Sequence, residues 1–181
     1  MRLLIRFWRH NIILAMLGLG LLSSCSSVEV DEYQGTNPSL VLESFFDGKL
    51  KAAGIVQDFS GKVVRKFNVT MEASWQGTQG VINEWFVYDD GETQTRIWTI
   101  NALGDGRYTG TAGDIIGTAV GQASGSALRW QYEMLLAVDG EEYHVDFDDW
   151  MFLVNDNTII NHSDIIKLGI KVAKVTLVIQ K

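Results

Sequence analysis

His144, Asp146 and Asp148 alternate along one stretch of the chain. One imidazole and two carboxylates are a ligand set for a divalent metal. Alternate positions on a strand lie about 7 Å apart, so a neighbouring strand must add a further ligand. A solvated polar face is the simpler account, and no metal is expected. His162 and Ser163 are neighbours in sequence only, and no nucleophile carries an activating set of partners. No His-Glu-x-x-His, Gly-x-Ser-x-Gly, phosphate loop or dinucleotide fingerprint occurs, so neither a catalytic residue nor a cofactor is expected.

Two charged residues sit among apolar ones. Asp149 shares its alternating face with Tyr143, Val145, Phe147 and Met151, and Arg65 shares one with Val63, Phe67 and Val69. A charge in such company must be paired or hydrogen-bonded. One reading is a structural pair, Arg65 or Arg96 with Asp149 or Glu84, that pins register. The other is a polar anchor in a pocket, suited to an acyl carboxylate. The sequence leaves open whether Glu84 and Arg96 face together.

The start of the chain differs from the rest. Arg2, Arg6 and Arg9 precede an 11-residue apolar run, Ile12 to Leu22, followed by Ser23-Ser24-Cys25. This is the order of an export signal, and the run is shorter than the about 20 residues of a bilayer span. The ending Leu22-Ser23-Ser24-Cys25 resembles the lipobox of bacterial lipoproteins. That resemblance implies cleavage after residue 24 and lipid on Cys25, the single cysteine of the chain. Two or more acyl chains anchor stably, at roughly 0.8 kcal/mol per buried methylene. Ser26 stands where an aspartate would signal inner-membrane retention in enteric-type bacteria, which implies an outer-membrane anchor facing the periplasm. Removing residues 1–24 takes away three arginines and no acids, so the net charge moves from −7 to −10. Nucleic acid is excluded as a partner, since it demands a basic stripe. The membrane, reached through acylated Cys25, is the expected partner, and no protein partner is specified.

These residues need a frame to hold them. Residues 25–36 read as a polar tether and 37–181 as one domain. Asn37-Pro38 opens a short amphipathic helix through Phe46, with Asn as cap and Pro in the first turn. Period-two alternation follows. It runs through Val63–Trp75 and Leu128–Val138, then through Tyr143–Leu153, and Asp89-Asp90-Gly91-Glu92 marks a hairpin between Val81–Tyr88 and Thr93–Ile100. Ser163 to Leu168 reads as one helical turn, and Ile170–Gln180 as a closing strand. The expected fold is all-β: an antiparallel, lipocalin-like (calycin-type) up-and-down barrel of about 8–10 strands with short flanking helices. An open sandwich is the other arrangement.

Gly113, Gly117, Gly121 and Gly125 recur at every fourth position. Four glycines would weaken an exposed helix by roughly 0.8–1 kcal/mol each, so the segment is assigned to a strand with one nearly bare face. Two readings follow. The glycines mark bends or close approach, with Trp98 or Trp130 filling the space, or the bare face looks into a cavity that holds a small guest. On the second reading Arg65, Trp75, Gly117, Gly121, Trp130 and Asp149 are the candidate ligand contacts.

Several phrases together carry a family likeness. They are Phe46-Asp47-Gly48, Glu84-Trp85-Phe86-Val87-Tyr88-Asp89-Asp90-Gly91, Arg96-Ile97-Trp98, Gly113-Asp114-Ile115-Ile116-Gly117, Ala127-Leu128-Arg129-Trp130 and Asp148-Asp149-Trp150-Met151. As a set they resemble the proteobacterial lipoproteins grouped as domain of unknown function 3833, from about Phe45 to the C-terminus. The resemblance implies a lipocalin-like shape and no established activity. The family's association with genes for fatty-acid modification makes a lipid or fatty-acid guest the implied ligand. The resulting expectation is a non-catalytic, outer-membrane-anchored periplasmic protein that binds or carries a lipid or other small apolar ligand. A structural or interaction module with a filled core is the alternative, and an enzyme acting on lipids is a third.

Overall fold

A computed structural model describes residues 27–138 and 140–181. The export signal and Cys25 lie outside these residues. Ten strands follow in chain order: β1 Gly48–Asp58, β2 Val63–Gln76, β3 Gln79–Tyr88, β4 Thr93–Gly104, β5 Arg107–Thr111, β6 Ile115–Ser124, β7 Ala127–Val138, β8 Glu141–Asn155, β9 Thr158–Lys167 and β10 Ile170–Gln180. Each pairs antiparallel with its sequence neighbours, and β1 closes on β10, with Lys51 opposite Gln180 and Asp58 opposite Ala173. The lipocalin-like up-and-down barrel is therefore present, and closure removes the raw edges that an open sandwich would keep.

Alternation dictates which side chains enter. On β2 Phe67, Val69, Met71 and Ala73 are buried while Lys66, Asn68, Thr70 and Glu72 are exposed. The same rule puts Val145, Phe147, Asp149 and Leu153 of β8 inside. The turns 59–62, 89–92, 112–114 and 168–169 share one end of the barrel, the mouth. The opposite end is the floor, covered by α1, Leu42–Phe45, whose Leu42 and Phe45 are buried with Leu40 and Phe46. The Trp75 indole donates to the Phe46 carbonyl at 2.8 Å and fixes this cover to β2.

The structure corrects several expectations. The helix begins at Leu42, with Val41 as its cap, and Asn37-Pro38 lies outside it. The Leu40 amide instead bonds the Gly125 carbonyl, which holds this stretch against the floor turn. Residues 29–36 do not hang as a tether. Val30 is buried, the Tyr33 ring packs tilted against Trp150 and Phe152 on the outer face of β8, and the Thr36 hydroxyl receives the Ser126 amide. Ser163–Lys167 belongs to β9 and is no helical turn; Leu168 and Gly169, both at positive φ, make the two-residue turn into β10. β1, which the alternation argument did not assign, completes the wall.

Candidate functional site

The glycine tract is a strand, but its bare face holds no guest. β6 starts only at Ile115, leaving Gly113 in the turn before it. Gly117 has φ +70°, is exposed, and sits where the β6–β7 register breaks between Ile116 and Val120; it bends the strand and does not line the lumen. At Gly121 a Cβ would fall 2.2 Å from the Trp130 ring, and at Gly110 a Cβ would fall 2.7 Å from the same indole. The wall is bare there so that Trp130 can lie flat against it. Trp75 covers Gly80 in the same way, near the floor. Of the six expected ligand contacts, Trp75, Gly117 and Gly121 thus serve the wall and floor, while Arg65, Trp130 and Asp149 border the open lumen.

That lumen has a volume of about 1100 Å³, at the upper end of small-molecule pockets (about 300–1,000 Å³). Its lower part is apolar. Leu128, Ile159 and Leu50 are fully buried there, with Trp98 and Trp130 edge to face at 5.8 Å. The wall toward the mouth on β7–β9 is also apolar, built from Met134, Val145, Phe147 and Ile165. Aromatic packing therefore fills the base and leaves the space above it open.

Between these zones runs a belt of polar groups. Glu84 on β3 faces Arg96 on β4 as a register pair, with charged atoms 3.9 Å apart. Arg96 is committed elsewhere. Its Nε and Nη2 donate to both oxygens of Asp114, at 2.7–3.1 Å. Asp114 can reach it because β5 ends at Thr111, opposite Thr99, and the following turn folds into the gap in the wall. Across the lumen, Asp149 is 7 % exposed, and Tyr132 of β7 and Ser163 of β9 are the polar side chains that act on it. The Glu84 Oε2 and Asp149 Oδ1 atoms are buried with no hydrogen-bond partner among the described residues.

Burial governs the charges of this belt. Loss of hydration pushes Glu84 up to about 7, against the pull of Arg96 and with the help of Asp114 and Asp149. It pushes Asp149 up to about 7 too, despite Ser163, Tyr132 and Arg96. Burial raises Tyr132 well above its ordinary value, and the Asp149 charge adds to this. Burial opposes the Arg96 charge, but Tyr132, Glu84 and Asp114 outweigh it and hold the guanidinium protonated.

The structure resolves the question of the two buried charges. Arg65 and Asp149 do not pair. Arg65 sits at the mouth, donates to Asp90 at 3.0 Å and Glu92 at 2.5 Å, and lies 3.5 Å over the Tyr88 ring. Asp149 has no arginine in contact and keeps company with Tyr132 and Ser163. The alternating trio faces outward: Arg129 binds Asp148 through two bonds of 2.7 and 2.8 Å, and His144 lies 3.0 Å from Glu133. Among the described residues no cluster of three metal-ligating side chains occurs. Sequence reasoning missed Asp114, Tyr132 and Ser163. Tyr132 alone carried a signal, a polar tip in the inward series Leu128, Trp130, Met134.

Fold and lumen define a ten-stranded, closed, lipocalin-like barrel with an open interior. The chain belongs to the family described as protein of unknown function DUF3833, which it matches over residues 19–181. No curated protein matches it. Among solved structures it resembles a protein of unknown function from the DUF3598 family of Nostoc punctiforme, with TM-score 0.54 and 9% identity, over 80% of this chain and 50% of that one. The chain thus spans half the length of that relative. It also resembles the S-type phycobiliprotein lyase CPES from Guillardia theta, with TM-score 0.52 and 8% identity, over 84% of this chain and 96% of the other. At these identities the likeness is one of fold.

Proposed function

We propose that the chain is a lipid-anchored outer-membrane protein, facing the periplasm, that binds or carries a lipid or other small apolar ligand and is not an enzyme. The observation that carries this reading is the lumen of about 1100 Å³ above an apolar base. A filled core would have favoured a structural or interaction module; an open one favours a carrier. The barrel form fits small-ligand binding, since such barrels close their floor and admit a guest at the mouth.

Chain geometry is compatible with the anchor. Thr36 is bonded at the floor turn, and Glu29 lies 3.7 Å from Arg129 on the outer wall, only three positions along β7 from that turn. Only Ser26 lies between Cys25 and Ser27, a reach of about 7 Å. Acylated Cys25 would therefore hold the lower wall near the membrane and leave the mouth on the far side.

The test is native mass spectrometry with lipid extraction of the protein purified from its own envelope. We expect a non-covalent apolar ligand in addition to the acyl groups on Cys25, and loss of membrane fractionation in Cys25→Ser. Recovery of the acyl groups alone would turn the reading toward an interaction module. A Cys25→Ser chain still held in the membrane would remove the anchor.

A further inference from the structure

The polar belt bears on what kind of head group the lumen accepts, and the argument rests on the carrier reading above. Two carboxyl groups, Glu84 and Asp114, flank one guanidinium, Arg96, and a third, Asp149, lies across the lumen. Two of the guanidinium nitrogens are bonded to Asp114, and the third, Nη1, faces the Glu84 Oε2 atom at 3.9 Å, so both its near neighbours are already acids. The second arginine of the lumen, Arg65, is held at the mouth by Asp90 and Glu92. Lys167, also at the mouth, sits 3.9 Å over the Tyr143 ring. The remaining groups facing the belt are uncharged: Tyr132 of β7, Ser163 and Asn161 of β9, Phe67 of β2 and Leu177 of β10. An incoming carboxylate would find no free cation at this depth and would add a fourth acid.

A donor would find the opposite. Glu84 and Asp149 border the lumen from facing walls, and each keeps one oxygen without a hydrogen bond, the Glu84 Oε2 having only the Arg96 Nη1 at 3.9 Å. A buried acceptor left unmade costs more than a made hydrogen bond returns, so these atoms gain most from a ligand that donates. The terminal torsion of a carboxyl group is soft, and a modest turn brings either oxygen to the lumen. We infer that the barrel selects a cationic amphiphile, an apolar chain bearing an ammonium-type head, which places the head between Glu84 and Asp149 and the chain against the apolar base, and that it discriminates against a fatty-acid carboxylate of the same length. The acyl-carboxylate anchor, one of the two readings of Asp149, is thereby reversed in sign. Ammonium donors to carboxylates make charge-assisted bonds about twice as strong as neutral ones, and three N–H groups suit two acceptors on opposite walls.

The experiment is a competition. The intact lipoprotein in a non-ionic detergent is mixed with equal amounts of dodecylamine, dodecanol and dodecanoate at pH 8, and bound species are read by native mass spectrometry. The amine adduct should exceed the dodecanoate adduct about tenfold or more. The ratio should shrink at pH 5.5, where the belt carboxyls take up protons. In Glu84→Gln/Asp149→Asn the ratio should collapse to within about threefold, with circular dichroism confirming the fold. Should the double variant not fold, the single variants Glu84→Gln and Asp149→Asn should each lower it. Dodecanoate or dodecanol bound as well as the amine would overturn the inference while leaving a carrier, as would a ratio that survives the substitutions. If none of the three binds a folded protein, the carrier reading itself falls.

Discussion

Asp149 is one carboxyl on the inner face of β8, and its surroundings make a prediction about pH. Its ordinary value is 3.8 and that of Glu84 is 4.5, and burial first of all raises both to about 7. For an acid raised in this way, the folded chain holds the proton more tightly than the unfolded chain does. The stability contributed is fully present below about pH 4 and is lost as pH rises through about 7. Asp149→Asn cannot ionise. Thermal melts followed by near-ultraviolet circular dichroism should show the parent losing melting temperature between pH 5 and 8, and the variant losing less. Equal slopes would mean that Asp149 is hydrated in the fold. The residue was visible in the sequence because one carboxylate stood in an otherwise apolar inward series. Asp114 was not. It lies in a turn, where no periodicity says which way a side chain points, and only the early end of β5 brings it to Arg96.

Among the elements, β6 shows how a pattern is read correctly and its purpose is not. The four-residue glycine spacing did mark a strand. Which glycine faced inward depended on the break in register at Gly117, which turns the two halves of the tract into different surfaces. Gly121 serves Trp130. Gly121→Ala puts a methyl 2.2 Å from the indole, so ring or wall must move. Overpacking of this kind costs about 1–3 kcal/mol. The loss should appear as a lower urea midpoint together with a shift in tryptophan emission, and an unchanged midpoint would show that the ring does not lie on that glycine. β2, β7 and β8 were legible because bulky inward residues alternate with charged ones. β1 was not, because its inward series Leu50, Ala52, Gly54, Val56 shrinks where Phe67 crosses over Gly54. β9 was mistaken for a helical turn near its end because the inward positions Asn161 and Ser163 are polar, so its alternation in burial is not one of hydropathy.

At the scale of the whole molecule, the strand pattern favoured a closed sheet over an open sandwich but did not say whether it was hollow. Lumen volume depends on where aromatic rings come to rest, and Trp130 on the wall leaves room that Trp130 across the lumen would take. The ring of strands also behaves as one unit. β1 meets β10 along its length, so removing one strand exposes two ladders at once. A chain ending at Leu168 should lose its cooperative melt and associate through the freed edges, as seen by light scattering. A sharp monomeric melt would show that nine strands suffice.

Lys181 adds something to that closure. Lys181 donates its amide to Asn157 and its side-chain ammonium, at 2.6 Å, to the Ser44 carbonyl of the floor cover. β1 thus closes only when β10 arrives, and the floor cover is fastened by a side chain 137 positions further along the chain. Contacts so distant along the chain form slowly. Until β10 is in place, the sheet is an uncurled ribbon with two sticky margins, β1 and β9.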